Sequence, residues 1–362
     1  MITDKVFFDA RYIRLDHHDG ISRFSAALCE ALCLRTKVVA IICDSRQLEK
    51  LPQGIEYVMA NSPTSWREPF IARTLNRAGA KVLFSPMQTI GSFGRRYKLI
   101  LTLHDLIYYN HKTPPSGFNT AIRALWRLYH LSFWPQRWLL NRADAVATVS
   151  ESTKRLMEWN KLTKRPISVI YNAAGSAADD NDPNPPTHRP KQTQSLVYMG
   201  SFIGYKNVEV LISGMKFLPD FELNLLSRIS SERRAELEKL IEPTGGKVVF
   251  HNGVSETAYH EQLDAAVALV SGSQDEGFGI PLVEAMSRGI PVVVSDIEIF
   301  REIGGSAALY FDQNSSADFA NQIRLLDANP AWISRSKASI AWARRFNWNQ
   351  SAAALMQMIS EL

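Results

Sequence analysis

The sequence is poor in cysteine, with only Cys29, Cys33 and Cys43 among 362 residues. Three thiols cannot build the disulfide framework of a small secreted domain, so a reduced, intracellular setting is expected. Cys29 and Cys33 stand about one helical turn apart in an apolar pattern, which reads as packing rather than metal ligation. Long apolar runs are missing as well: Val38–Cys43 and Leu99–Leu103 are strand-length, and no segment is expected to span a bilayer. Met1-Ile2-Thr3-Asp4-Lys5 lacks the basic-then-apolar order of a secretory leader. No Gly-x-Gly-x-x-Gly follows the first strand-like run, which argues against a nicotinamide-dependent oxidoreductase. No recognised nucleic-acid motif accompanies the basic residues, so nucleic acid is not an expected partner.

What is present is the make-up of a folded globular protein, 46% hydrophobic and 21% charged, which excludes a disordered chain and a coiled coil. The length suits two domains. The net charge of +5 is unevenly shared. Residues 1–185 hold 25 Lys/Arg and 16 Asp/Glu, or +9, leaving 16 and 20, or −4, for residues 186–362. An anionic partner is therefore expected at the first half.

Strand-length runs at Val6–Asp9, Val38–Cys43, Val82–Ser85, Leu99–Thr102, Ala145–Ser150 and Ile167–Ile170 alternate with amphipathic stretches such as Ile21–Leu34 and Phe118–Leu140. Alternation of this kind predicts parallel sheets with helices on both faces. The pattern breaks at residues 173–194, where acids, prolines and small residues cannot continue a core, and it resumes at Leu196–Met199, Phe221–Leu226, Lys247–Phe250, Ala268–Val270 and Pro291–Ser295. The expected fold is α/β, two Rossmann-like domains facing across a cleft. The expected boundaries are 1–172, a linker at 173–194, 195–345, and a closing segment 346–362.

In open α/β sheets ligands sit beyond the carboxyl ends of strands, often at helix amino termini. After the strand ending near Val270 comes Ser271-Gly-Ser-Gln-Asp-Glu276-Gly277-Phe278-Gly279-Ile280-Pro281-Leu-Val-Glu284. Pro281 marks a helix start, and Gly277 and Gly279 would let backbone N–H groups approach a phosphate. Glu276 and Glu284 would repel that phosphate unless each faced a neutral hydroxyl, and a nucleotide sugar supplies both kinds of group. On spacing alone, a surface loop with solvated acids fits equally well.

This segment resembles the retaining, GT-B-fold glycosyltransferases of family 4. The likeness runs from Glu276 through Glu284-Ala-Met, Gly289-Ile-Pro-Val-Val-Val-Ser295, Glu302-Ile-Gly304 and Ala307–Asp312. It implies that Glu276 meets the transferred sugar, that Glu284 holds the ribose, and that backbone around Phe278–Ile280 holds sugar and pyrophosphate. Tyr198-Met-Gly200-Ser201-Phe-Ile-Gly-Tyr-Lys206 is similar to the family's first turn of the donor domain, which puts Lys206 on the pyrophosphate. Many members have an arginine where this chain has Ser201. His251-Asn-Gly-Val254-Ser255 resembles the base-contacting loop, with Val254 against the base, although a plain turn fits it too.

In the first half, Asp9-Ala-Arg11 and Gly20-Ile-Ser-Arg23 resemble the family's first strand and glycine loop, so Gly20 is expected to offer backbone to the donor phosphate. His104, after Leu99–Leu103, matches a histidine that approaches the transferred sugar, with Asp105 orienting it. Asn172 matches an interdomain asparagine of structural character, and Ser150 a helix N-cap. The last helix, after Phe346-Asn-Trp348, resembles the family's closing helix, which crosses back onto the first domain. His17 and His18 lack partners at metal-ligand spacing.

Basic and aromatic residues interleave from Arg123 to Arg142, which suits a membrane interface or an anionic lipid-linked acceptor, while a buried helix with an arginine rim fits somewhat better. The resemblance implies transfer of a sugar from a nucleotide-sugar donor to a hydroxyl of a glycan or lipid-linked acceptor, with domain closure excluding water. Similarity to bacterial mannosyltransferases of surface polysaccharides points to GDP-mannose. The expected location is cytoplasmic, with peripheral contact to anionic membrane. No cofactor or metal is expected, since Asp180-Asn181-Asp182, the one Asp-x-Asp, falls in the linker. Two rival readings are a nucleotide-sugar epimerase on the same fold and a catalytically idle sugar-nucleotide-binding scaffold.

Overall fold

The structure, a computed structural model, describes residues 5–15, 20–114, 120–175 and 194–362. His17, His18, the Asp-x-Asp and most of the expected linker lie outside the described residues. By contacts the chain divides into two compact units, the first Met1–Asp180 together with Phe346–Leu362, and the second Asn181–Arg345.

The first unit is built on a parallel sheet of β1 (Lys5–Asp9), β2 (Lys37–Ile42), β3 (Glu56–Met59), β4 (Val82–Ser85), β5 (Lys98–Leu103), β6 (Ala145–Thr148) and β7 (Ile167–Val169). Their spatial order is β3-β2-β1-β4-β5-β6-β7, each pair parallel. Central strands such as β4 and β6 are buried along their whole length. That burial is why they read as unbroken apolar runs rather than alternating ones. The second unit repeats the scheme with β8 (Ser195–Tyr198), β9 (Glu222–Leu225), β10 (Lys247–Phe250), β11 (Ala268–Ser271), β12 (Val292–Ser295) and β13 (Leu309–Phe311). Its order is β10-β9-β8-β11-β12-β13, again parallel. In both sheets the order reverses beside the first strand, between β1 and β4 and between β8 and β11, where a crevice opens beyond the carboxyl ends.

Short polar side chains start the helices. Ser150 Oγ accepts from Thr153 N–H at 3.1 Å to cap Glu151–Trp159, as the sequence predicts. Ser230, Ser255 and Ser315 do the same for helices of the second unit. Asn347 caps the final helix, Trp348–Ser360. That helix belongs to the first unit and lies along helix Gly20–Cys33. Trp348 Nε1–H donates to Gly175 O at 3.0 Å, Ser351 Oγ–H to Tyr171 O at 2.7 Å, and the Trp348 ring meets Phe24 edge-on at 6.0 Å.

The Arg/Trp-rich stretch differs from expectation in two ways. It is two helices, Thr120–Tyr129 and Trp134–Asn141, and Pro135 opens the second because it cannot continue the first. The buried-helix reading also fails, because no residue of Thr120–Tyr129 is buried. Trp126 and His130 turn toward Tyr108 and Tyr109, and Tyr129 packs on His130, leaving Ile122, Leu125 and Leu128 outward. Hydrophobic periodicity identifies such a stripe without saying what it faces. Among the described residues, no helix is long and apolar enough to cross a membrane.

Candidate active site

The second unit gathers its candidates at the reversal between β8 and β11. Beyond β8, a single 3₁₀ turn, Gly204–Lys206, ends on Asn207 in the left-handed conformation (φ 48°). Asn207 is tied by its side chain to Gln313 O at 2.8 Å. Beyond β11, Gln274 N–H donates to Tyr205 O at 2.7 Å, which docks the two loops together. The result is that Lys206 and Glu276, 70 residues apart, meet: Nζ donates to Oε1 at 2.5 Å, with both side chains about 15% exposed. Ser273 Oγ–H donates to the same carboxylate oxygen at 2.9 Å, and the Ser295 hydroxyl holds Ser273 through its carbonyl. Glu276 is thus fixed from two sides, and its charge cancels that of Lys206.

Next to this couple, helix Ile280–Ser287 begins after Gly279, whose φ of 92° only glycine adopts without strain. No side chain caps that start, and Pro281 follows directly, so backbone N–H groups and the helix dipole define the local field. Phe278 is buried. Glu284, one turn inside, is buried and accepts from Tyr259 O–H at 2.8 Å. Ser201 is exposed, and its carbonyl accepts from Tyr198 O–H at 2.6 Å. Burial, and then the charge of Glu276, push the Tyr198 phenol well up, so it remains a donor. Val254 is half-buried in a loop where Asn252 Oδ1 accepts from Ile229 N–H at 3.1 Å.

The first unit has its own reversal, between β1 and β4. Arg11 is buried there, with Nε on Asp9 at 2.7 Å and Nη1 on Glu68 at 2.7 Å. Burial disfavours its charge, but Asp9 and then Glu68 more than compensate, so its pKa is raised. The arrangement anchors the turn that leads toward Gly20, the exposed first residue of its helix. His104, beyond β5, is half-buried and hydrogen-bonds Pro86 O through Nε2 at 2.8 Å. A carbonyl only accepts, so Nε2 carries the proton and Nδ1 is the basic nitrogen of the neutral ring. Asp105 Oδ1 accepts from Ile107 N–H at 3.1 Å, starting the short helix Ile107–Asn110. Asn172 is buried, and among the described residues its Oδ1 has no partner. Among the described residues no three His, Cys, Asp or Glu gather as metal ligands.

Sequence reasoning missed three groups that hold the site. Ser273 lies inside the motif string and could have been noticed three residues before Glu276. Tyr259 and Glu68 carry no local signal, since they meet Glu284 and Arg11 only through the fold.

Two Rossmann-like units, each on a parallel sheet, form the architecture of the GT-B glycosyltransferases. HepE of Anabaena, solved with UDP and glucose, is similar in fold, with a TM-score of 0.72 at 18% identity over 99% of this chain and 100% of that one. Residues 180–343 match the model "Glycosyl transferases group 1", and residues 18–174 match "Glycosyltransferase Family 4". The O-antigen chain mannosyltransferase RfbU of Salmonella typhimurium is 29% identical over 341 residues, 89% of this chain and 91% of RfbU. A GDP-mannose:cellobiosyl-diphosphopolyprenol alpha-mannosyltransferase of Xanthomonas campestris is 28% identical over 165 residues, 43% of each chain. The chain belongs to glycosyltransferase family 4. It transfers a sugar from a nucleotide-sugar donor to a glycan acceptor, and the epimerase and scaffold readings are not favoured.

Proposed function

We propose that this transferase moves mannose from GDP-mannose, with retention, to a lipid-linked glycan, and that it works at an anionic membrane surface. The observation that carries the donor assignment is the fixed Lys206–Glu276 couple beside the uncapped helix start at Gly279. In this reading the N–H groups and Lys206 stabilise charge building on the departing diphosphate, and Glu276 orients the sugar. Glu284, held by Tyr259, takes the ribose hydroxyls. Gly20 offers backbone to the phosphates, and His104 and Asp105 serve the transferred sugar. Retention by double displacement would need a carboxylate nucleophile. None is assigned, and same-face attack assisted by the leaving phosphate is the working picture, with no metal taking part. The names of RfbU and the Xanthomonas enzyme support mannose, and the latter supports GDP and a diphosphopolyprenol-linked acceptor.

Membrane contact is supported by the outward face of the first unit. Leu125, Leu128, Leu131, Trp134 and Trp138 are each more than half exposed. Between Asp105 and Asp144 the sequence has no acidic residue but has Lys112, Arg123, Arg127, Arg137 and Arg142. Leucine and tryptophan exposed on a stretch whose own charges are all basic match the chemistry of an anionic bilayer surface. The test is transfer from a panel of nucleotide sugars to polyprenyl-diphosphate-linked sugars. Product from GDP-mannose alone, with α-linkage by NMR, is expected. Turnover with a UDP-sugar and none with GDP-mannose would refute the donor reading.

A further inference from the structure

We propose that Arg228 reads the donor's nucleobase, its guanidinium donating to O6 and N7 of guanine; the inference rests on the GDP-sugar reading above. Arg228 leaves the carboxyl end of β9, the strand next to β8, and the two exits are joined where Gly200 N–H donates to Ser227 Oγ at 3.1 Å. Its side chain does not lie on the Lys206 turn. It is laid over Gly253, where an added Cβ would stand 2.8 Å from Arg228 Cγ and 3.3 Å from Nε. Gly253, at φ 99°, leaves the space the arginine occupies. The two loops are locked together, Gly253 N–H donating to Leu226 O at 3.0 Å and Asn252 Oδ1 accepting from Ile229 N–H. The arginine side chain thereby lies over Gly253, the residue before Val254.

Arg228 is exposed and, among the described residues, makes no hydrogen bond or ion pair. In the same unit Arg233, Arg288, Arg301 and Arg324 each sit on a carboxylate. A positioned arginine left without an acidic partner is available to a ligand. The fork of a guanidinium matches two adjacent acceptors, and guanine offers O6 and N7 on one edge. Uracil offers O4 alone on the comparable edge, and adenine sets an amino donor beside N7. Arg228 would therefore favour a guanine nucleotide over a uracil one.

The test is calorimetric binding of GDP, UDP and 7-deaza-GDP to the full chain as wild type, Arg228→Ala and Arg228→Lys, with thermal melts to show that each variant is folded. Arg228→Ala is expected to lose about tenfold or more in GDP affinity while UDP changes by less than about twofold. 7-deaza-GDP should bind wild type more weakly than GDP does, and Arg228→Ala equally, because N7 is then irrelevant. Lysine should restore the preference only in part, since an ammonium lacks the planar fork that fits both acceptors. Equal losses for GDP and UDP would overturn the assignment by putting the residue on phosphate. A wild-type preference for UDP would sink the donor reading itself. A wild-type preference for GDP that survives Arg228→Ala would sink only the role of Arg228.

Discussion

Glutamine in place of Glu276 should separate two properties that usually fall together. Glu276 Oε1 receives both Lys206 Nζ at 2.5 Å and Ser273 Oγ at 2.9 Å, and an amide oxygen can accept from both, so Glu276→Gln keeps the shape and removes one negative charge. Lys206 then loses its counter-ion while remaining in place. Two unit charges 4 Å apart interact by about 4 kcal/mol at an effective dielectric constant of 20. Residual exposure and salt reduce the released attraction to roughly 1–2 kcal/mol. Nucleoside diphosphate should therefore bind about five- to thirtyfold more tightly. Transfer should fall by about 10²–10³-fold in kcat, the usual cost of losing one preorganised group at a reacting centre. Calorimetry with GDP and single-turnover product formation read the two arms separately. Wild-type turnover in the variant would refute the role of Glu276, and weaker diphosphate binding would refute the claim that Glu276 masks Lys206.

Three further outcomes follow from the first unit. Arg11→Met leaves Asp9 and Glu68 buried without their cation and should lower the unfolding free energy by about 3–5 kcal/mol in urea titrations. His130, packed among Trp126, Tyr108, Tyr109 and Tyr129, has its pKa lowered from 6.5 by burial. The unfolded chain binds that proton more readily, so the histidine's contribution is full above about 6.5 and is lost as pH falls through the lowered value. Amide protection factors in Thr120–Tyr129, taken against the intrinsic rates, should fall on acidification, and His130→Phe should flatten that dependence. Leu125→Glu with Leu128→Glu should abolish flotation with phosphatidylglycerol vesicles while leaving nucleotide binding unchanged; retained flotation would count against the membrane face.

The strands that the sequence announces are those buried on both faces, where nearly continuous apolar runs are favoured, as in β4 and β6. β3 escapes because Glu56–Met59 is a short edge strand with Tyr57 and Met59 exposed, so its apolar run is only Tyr57–Ala60. β13 is only three residues long and is hidden within a motif. Glu276 and Lys206 were each recognisable from their surrounding strings. Their pairing was not, because it depends on where the strand order reverses, and spacing along the chain does not encode that. Tyr259 is the extreme case: its sequence neighbourhood is an ordinary helix, and its hydrogen bond to Glu284 exists only after the sheet has assembled.

The return of Trp348–Ser360 to helix Gly20–Cys33 makes the second unit an insertion in the first, with consequences during synthesis. Phe24, Leu28 and Leu32 are made long before part of their cover, including Trp348. At roughly 5–20 residues per second, the intervening residues 176–345 delay that cover by about 10–35 s. Throughout that interval the emerging chain carries a sticky face that its own remainder has yet to shield. A nascent chain stalled before Phe346 is thus a natural client for holding chaperones, and the inserted unit must fold on schedule for the first to be completed.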